Sequence, residues 1–390
     1  MRTIVHSARL VGEPLAVGGS IDDGWVRFEG DRVVATGTGD GWQGAGADAV
    51  VDAVAVAGDG ALLVPGFIDI HGHGGGGAAY DDGPEAIRAA RAIHRAHGTT
   101  RAVVSLVTAP LETLERRAAM VADLMETDAD ILGSHLEGPF LDPGHKGAHD
   151  EGLLRDPQPG LVRRLLDAGR GTVRQVTLAP EREGALEAIR RVVGAGAAAA
   201  IGHTAADYDL CRAAFDAGAT ILTHAFNAMP GLHHRAPGPV AAAAADPRVT
   251  LEVIADGVHL HPDVVRLAFA LAPGRIALVT DAMAAAGGGD GRYDLGALKV
   301  DVVDGVARLA GGGSIAGSTL TQDVALRLAV GAGVPVAAAV HALTGAPARA
   351  IGRDGDLGAL APGFLADAVL LSADFAVKSV WTAGAPARSA

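Results

Sequence analysis

Apolar and polar positions change rhythm once along the chain, near Gly66. Before it, short apolar runs come in quick succession: Thr3-Ile4-Val5, Leu15-Ala16-Val17, Trp25–Phe28 and Arg32–Ala35. Gly-Glu, Asp-Asp-Gly and Glu-Gly-Asp turns separate them, and Ala49–Val56 and Leu62–Val64 extend the series. This is the pattern of a small sheet. From Gly66 onward, apolar runs alternate with Ala/Arg/Glu/Leu-rich segments of helix length. The runs are Phe67–Ile70, Thr100–Val107, Ile131–Leu136, Val173–Leu178, Ala197–Gly202, Thr220–Thr223, Leu251–Ala255 and Arg275–Thr280. Helices are predicted over Pro84–His97, Leu111–Thr127, Gly160–Ala168, Glu183–Gly194, Ala206–Ala217 and Pro262–Leu271. Eight strand–helix units predict an α/β fold, a (β/α)8 TIM-type barrel. The alternative is a doubly wound open sheet, but no G-x-G-x-x-G fingerprint opens a helix after the first strand.

After the eighth strand the chain turns β-rich again: Leu298–Val303, a turn at Asp304-Gly305, then Val306–Leu309. Gln322–Val330 and Val336–Leu343 read as closing helices. From Gly355 the pattern is β once more, with runs at Gly363–Leu371 and Val377–Trp381. The terminal β segments are expected to pair into one small β-sandwich domain, residues 1–63 together with 355–390, around a barrel domain of residues 64–354.

The boundary stretch Val64–Gly77 also carries chemistry. Pro65-Gly66 is a turn signal, Phe67–Ile70 reads as a buried strand, and His71 and His73 follow it. Side chains two apart on a strand point the same way, so both imidazoles are aimed at one side. Other strands end alike: His135-Leu-Glu137, Gly202-His203-Thr204, His224-Ala-Phe-Asn227, Asp256-Gly-Val-His259 and Thr280-Asp281. One such residue is commonly a cap or a loop residue. Six strands ending this way are hard to assign to packing, because His, Glu and Asp are costly to bury unpaired. Catalytic groups of barrel enzymes lie at this C-terminal face. A hydrolytic metal site uses a few neutral imidazoles and one carboxylate, with a position left open for water. His203, His224 and Glu137 supply such a set; His71 and His73 offer a second, with Glu137 bridging. Asp281, alone at its strand end, suits the proton-transfer role; the alternative is a helix N-cap before Ala282.

Composition narrows the field. The 390 residues carry a net charge of −13 with a pI near 5.5, which argues against nucleic acid or an anionic membrane as the main partner. The one cysteine, Cys211, excludes a disulfide framework or thiolate zinc site and reads as a small core residue. Arg2 is not followed by an apolar signal region, and no apolar run reaches membrane-spanning length, so a cytoplasmic protein is expected. Against the acidic background, His233, His234, Arg235, His259 and His261 cluster on the loops after strands six and seven. A phosphate pocket is one use of such a cluster and a solvated loop the other. Aromatic content of 4% disfavours a stacking platform for long glycans.

The motifs PGFIDIHGHG, HLEGPF, KGAH, TLAPE, GHT, THAFNAM, ADGVHLHP, LVTDA and AGSTL, in this order, closely resemble the N-acetylglucosamine-6-phosphate deacetylase family of the amidohydrolase superfamily. The resemblance spans essentially the whole chain and includes Gly363-Phe-Leu-Ala-Asp367. It implies an amidohydrolase-type barrel that hydrolyses N-acetyl-D-glucosamine 6-phosphate to glucosamine 6-phosphate and acetate, in amino-sugar catabolism or cell-wall recycling. It implies Glu137, His203 and His224 as principal metal ligands, Asp281 as general acid/base and His149 as the group polarising the acetyl carbonyl. Ala148, His149, Asn227, Ala228 and His259 match sugar-phosphate contacts, and Ile315–Ser318, with Ile315 and Ala316, a loop closing over the sugar. Arg235 matches an arginine reaching the phosphate across a homodimer interface. Some members lack both strand-1 histidines and use a single metal. This chain has them, so one or two divalent ions per chain are expected, zinc first, with Fe²⁺, Co²⁺ and Mn²⁺ as alternatives.

Three rivals stand beside this reading. A dihydroorotase-like enzyme commonly carries a bridging lysine at the fourth strand, where this chain has Leu178-Ala-Pro-Glu181. The galactosamine epimer is a second substrate that no residue distinguishes. A catalytically dead sugar-phosphate-binding module is the third, opposed by the intact ligand set and Asp281.

Overall fold

The computed structural model describes residues 1–12, 19–311 and 313–388; the Leu15-Ala16-Val17 run lies outside the described residues. Two compact units are present. One comprises Met1–Asp69, His94–Arg101 and Gln322–Ala390, the other Ile70–Ile93 and Ala102–Thr321.

In the first unit, strands Arg2–Val11, Ser20–Glu29, Arg32–Thr38, Ala49–Asp52 and Leu62–Pro65 share a sheet with Ala368–Leu371, Val377–Thr382 and Ala385–Arg388. The two chain ends meet where Leu62–Pro65 runs antiparallel to Ala368–Leu371, with Leu63 opposite Leu370. Val5, Leu10, Phe28, Leu63, Leu370 and Trp381 form the core of this β domain. Ala49–Val56 does not continue as one strand. The Asp52 carboxylate accepts from the Val54 and Ala55 backbone N–H groups and caps a short helix, Ala53–Ala57. Of the Gly363–Leu371 run only Ala368–Leu371 is strand. Asp367 instead takes both arms of the Arg101 guanidinium, at 2.6 and 2.9 Å, and accepts from the Ala383 N–H. That buried bidentate pair anchors the start of the C-terminal strand.

The second sheet has eight parallel strands in strictly sequential order: Phe67–Asp69, Thr99–Val107, Ile131–Glu137, Val173–Leu178, Ala198–Ile201, Ile221–Leu222, Thr250–Val253 and Ile276–Leu278. Sequential order with a helix between neighbours is the barrel topology; a doubly wound sheet would reverse partway. The first and eighth strand ends meet through two backbone bonds: Asp281 N–H donates to the His71 carbonyl at 2.8 Å and His73 N–H to that of Ala282 at 2.7 Å. The strands are almost wholly buried, which explains their continuous apolar runs.

Helices Pro84–Ala96, Leu111–Leu124, Pro159–Ala168, Ala185–Gly194, Tyr208–Asp216 and Pro262–Leu271 lie within a few residues of expectation. Gly238–Ala245, between strands six and seven, was not predictable from periodicity. Its sequence GPVAAAAA has no polar face, so no 3.6-residue pattern is written into it. Beyond the eighth strand, Gly291–Leu295, Leu298–Val303 and Val306–Leu309 form a three-stranded antiparallel sheet. Leu295, Val300, Val302 and Ala307 pack it against Val107, Met283 and Ala316. Among the described residues, no helix is long and apolar enough to cross a membrane.

Candidate metal centre

The strand-end histidines and acids converge within the second unit. Glu137, His203 and His224 place one ligand atom each within 4.8 Å of one another, and His71, His73 and Asp281 do the same. Glu137 stands between the two groups. Its Oε1 lies 3.2 Å from His71 Nε2, 3.2 Å from His203 Nε2 and 3.4 Å from His224 Nε2; its Oε2 lies 3.2 Å from His73 Nε2. Asp281 Oδ1 is 3.2 Å from His73 Nε2 and 3.6 Å from His71 Nε2. All six side chains are buried.

Hydrogen bonds behind these candidate ligands fix which ring nitrogens face one another. His203 Nδ1 donates to the His145 carbonyl at 2.8 Å, so in the neutral ring Nε2 is a lone pair. That lone pair faces the Glu137 carboxylate and His224 Nε2, which is 2.8 Å away. Similarly, His71 Nδ1 donates to Glu252 at 2.9 Å and turns Nε2 toward Glu137. Lone pairs aimed at carboxylate oxygens in a buried site require a cation between them, a proton or a metal. Outer hydrogen bonds that orient imidazoles are the usual support of metal ligands. The donor set therefore fits a divalent ion at each group, with imidazole and carboxylate donors suited to zinc and its first-row neighbours.

Electrostatics agree with this reading. Burial opposes charge on Glu137, but the facing His71 charge and hydrogen bonds from His149, His203 and His224 hold its carboxyl well below the usual range. Burial likewise opposes ionisation of Asp281, and His71 and His73 overcome it, so Asp281 is a carboxylate at neutral pH. Burial pulls His71 down, while Glu137, Glu252 and Asp281 together carry it well above its ordinary value. Desolvation lowers His149 and His224. Glu137 and Asp281 thus stand ionised among buried imidazoles, and despite burial they draw His71 and His73 toward the protonated form.

Backbone geometry sharpens the placement. His203, His224, Ala228 and Asp281 all have positive φ, at 47°, 27°, 48° and 47°. Such conformations cost on the order of 1–3 kcal/mol each and collect at functional sites. Asp281 is gripped on both sides: its N–H donates to His71, and its carbonyl accepts from Ser318 N–H at 2.7 Å. Gly317 makes room for this, since a Cβ there would sit 2.9 Å from the Asp281 carbonyl oxygen.

The ligands open into a cavity of about 340 Å³, in the range of small-ligand sites. Ala148, His149, Asn227, Ala228, His259 and Ile315 line it, beside His73, Glu137, His203, His224 and Asp281. His71 lies beneath, fully buried. His149 Nδ1 is 2.9 Å from the Thr108 hydroxyl and its Nε2 is 3.5 Å from Glu137. His259 donates through Nδ1 to Asp256 at 2.7 Å; burial lowers its pKa, but Asp256 prevails and raises it. Other expected residues lie elsewhere. Ala316 is buried in the apolar cluster under the three-stranded sheet. Arg235, His233 and His234 are exposed and do not line the cavity, and His261 accepts from Asp263 N–H to cap its helix. Cys211 is buried, and desolvation pushes its thiol up to about 12.

Sequence reasoning missed the polar layer under the ligands. Glu252 joins His71 to Gln175, and His135 bonds Ser105 at 2.8 Å and Thr177 at 2.8 Å. Its signal was present: a lone glutamate inside the buried run Leu251–Ala255 must have partners.

A parallel barrel with histidine–carboxylate groups able to hold metal at its C-terminal face has the architecture of an amidohydrolase. The Amidohydrolase family model matches residues 62–386, and the chain belongs to that family. Within it, the chain belongs to the N-acetylglucosamine-6-phosphate deacetylases. It is 44% identical to the N-acetylgalactosamine-6-phosphate deacetylase of Escherichia coli O157:H7, over 84% of this chain and 88% of the relative. It is 36% identical to the N-acetylglucosamine-6-phosphate deacetylase of Vibrio furnissii, over 83% and 82%. A point mutant of the Mycobacterium smegmatis N-acetyl-D-glucosamine-6-phosphate deacetylase, solved with N-acetyl-D-glucosamine 6-phosphate, superposes with a TM-score of 0.92 at 45% identity over all of both chains.

Proposed function

We propose that this chain removes the N-acetyl group of N-acetyl-D-glucosamine 6-phosphate, giving D-glucosamine 6-phosphate and acetate. The observation that carries the reading is the ionised Asp281 carboxylate beside two ligand groups joined by Glu137, all at the floor of one cavity. Residues 64–354 are the catalytic barrel and residues 1–63 with 355–390 the small β domain. Glu137, His203 and His224 would hold one divalent ion, and His71 and His73, with Glu137 and Asp281, a second; zinc is the ion favoured. When bound, such an ion supplies Lewis acidity to a water and to an acyl oxygen.

The chain's own groups do the rest. Asp281 takes a proton from the attacking water and returns it to the departing amine nitrogen. Thr108 gives its hydroxyl proton to the Glu137 carbonyl and accepts from His149 Nδ1–H, which turns His149 Nε2 into the cavity; there, in its protonated form, it faces the acetyl oxygen and stabilises the charge that develops on it. Asn227, Ala228 and His259 hold the sugar phosphate from the far side of the cavity, and Ile315 covers it. Burial opposes charge on His259, but Asp256 draws it toward the charged form, which suits a phosphate dianion. Arg235, exposed on its own chain, completes the phosphate site of a neighbouring subunit in a cytoplasmic homodimer.

The galactosamine epimer is the second reading, favoured by the Escherichia coli relative's name. Assays of free-amine release from both epimeric sugar phosphates, run with metal content per chain, test the proposal. Turnover of the glucosamine substrate at the higher kcat/KM is expected. Preference for the galactosamine epimer would transfer the assignment, and inactivity on both with metal bound would overturn it.

A further inference from the structure

Glu252 is an acid that neither ligand group includes. It lies on the seventh barrel strand and is fully buried. Its Oε2 accepts from His71 Nδ1 at 2.9 Å and from the His224 backbone N–H at 3.2 Å, and its Oε1 accepts from Gln175 Nε2 at 2.7 Å. Its own carbonyl accepts from Ala225 N–H at 2.7 Å. One side chain therefore touches a residue of each ligand group, His71 in the first and His224 in the second. Burying a carboxylate costs several kcal/mol unless it is answered by donors. A neutral glutamine could pair with Gln175 and an amide N–H equally well. What a glutamine cannot supply is a full negative charge behind an imidazole, which fixes the tautomer and makes the far nitrogen a stronger donor.

We propose that Glu252 is a positioning residue of the metal centre. It holds His71 as the Nδ1–H tautomer with Nε2 aimed at Glu137 and Asp281, and through the His224 amide it keeps the two ligand groups in register. The role rests on the reading that both groups hold metal. Glu252 does not itself line the cavity, so its influence runs through His71 and His224.

The test is zinc binding by the full chain, wild type against Glu252→Gln, followed by chelator competition and independent of turnover. Wild type is expected to take up two equivalents. The variant should keep one tight equivalent at Glu137, His203 and His224 and bind the second roughly 10–100-fold more weakly. In a His71→Asn background, Glu252→Gln should change zinc binding no further. A merely structural role would weaken both equivalents together and persist in that background, which overturns the proposal, as does a variant that binds both equivalents like wild type. Should the variant fail to fold, ¹⁵N NMR of the histidines in zinc-loaded wild type decides. A proton on His71 Nδ1 is expected, and a proton on Nε2 overturns the role. Wild type without metal overturns the metal-dependent function itself, whereas two-equivalent wild type with an unaffected variant counts against Glu252 alone.

Discussion

Asp281 hands its backbone N–H to the carbonyl of His71 at 2.8 Å, and with that bond the last barrel strand delivers its carboxylate to the histidines of the first. The same contact joins the ends of the first and eighth strands and assembles the site. Ser318 secures the other side of Asp281, so the carboxylate is placed by backbone on both flanks.

Asp281→Asn keeps this backbone and the shape of the side chain while removing the base. Turnover should fall by about 10²–10⁴-fold, the usual worth of general acid–base catalysis. Metal content should persist at the Glu137 group. Near wild-type turnover in a metal-replete variant would remove Asp281 from the proton-transfer role.

His71→Asn combined with His73→Asn removes two donors from one ligand group and none from the other. Metal stoichiometry should drop from two toward one, measured by elemental analysis, while substantial deacetylation remains. Complete loss of activity with metal still bound at Glu137, His203 and His224 would make the first-strand pair indispensable.

Gly317→Ala tests the grip on Asp281 without touching a ligand. The added Cβ would lie 2.9 Å from the Asp281 carbonyl oxygen at a backbone φ of +62°. Asp281 must shift, and displacements of this kind cost about 10–100-fold in rate. A fall in kcat with little change in metal content is expected; unchanged kcat would show that the loop absorbs the methyl group.

Acid stability has a contributor remote from the site. Hydrogen bonds from Arg248 hold the Asp246 carboxyl at about 2 against an ordinary 3.8, despite its burial. A depressed folded-state pKa stabilises the fold above the unfolded-state value, and that contribution is lost as pH falls from about 4 toward 2. The stability difference between wild type and Asp246→Asn, from urea unfolding at a series of pH values, should therefore shrink over this window. A difference independent of pH would mean that the ion pair contributes only shape.

The order of strands and helices was legible in the chain because hydrophobic periodicity is local. Each buried strand announces itself as an apolar run, and each helix with a polar face as a 3.6-residue stripe. Gly238–Ala245 escaped for want of such a face. Asp52 turned an expected strand into a helix by capping two amides, a choice made by one side chain. The gathering of histidines and acids at the ends of buried strands was legible too, since such groups are too costly there to be accidental.

What the sequence by itself determined, then, is the barrel, its order and the chemical types at its C-terminal face. Tertiary structure alone decided which of those types meet. Asp281 joins His71 and His73 only because the ends of strands one and eight meet in a nearly closed sheet. Glu137 reaches all four metal-site histidines because strand three faces the others across the barrel. Glu252 acquires its partners, and Arg235 and Ala316 their places away from the cavity lining, by the same closure. The physical reason is that periodicity and burial cost are properties of neighbouring residues, whereas ligation depends on ångström distances between residues far apart in the chain.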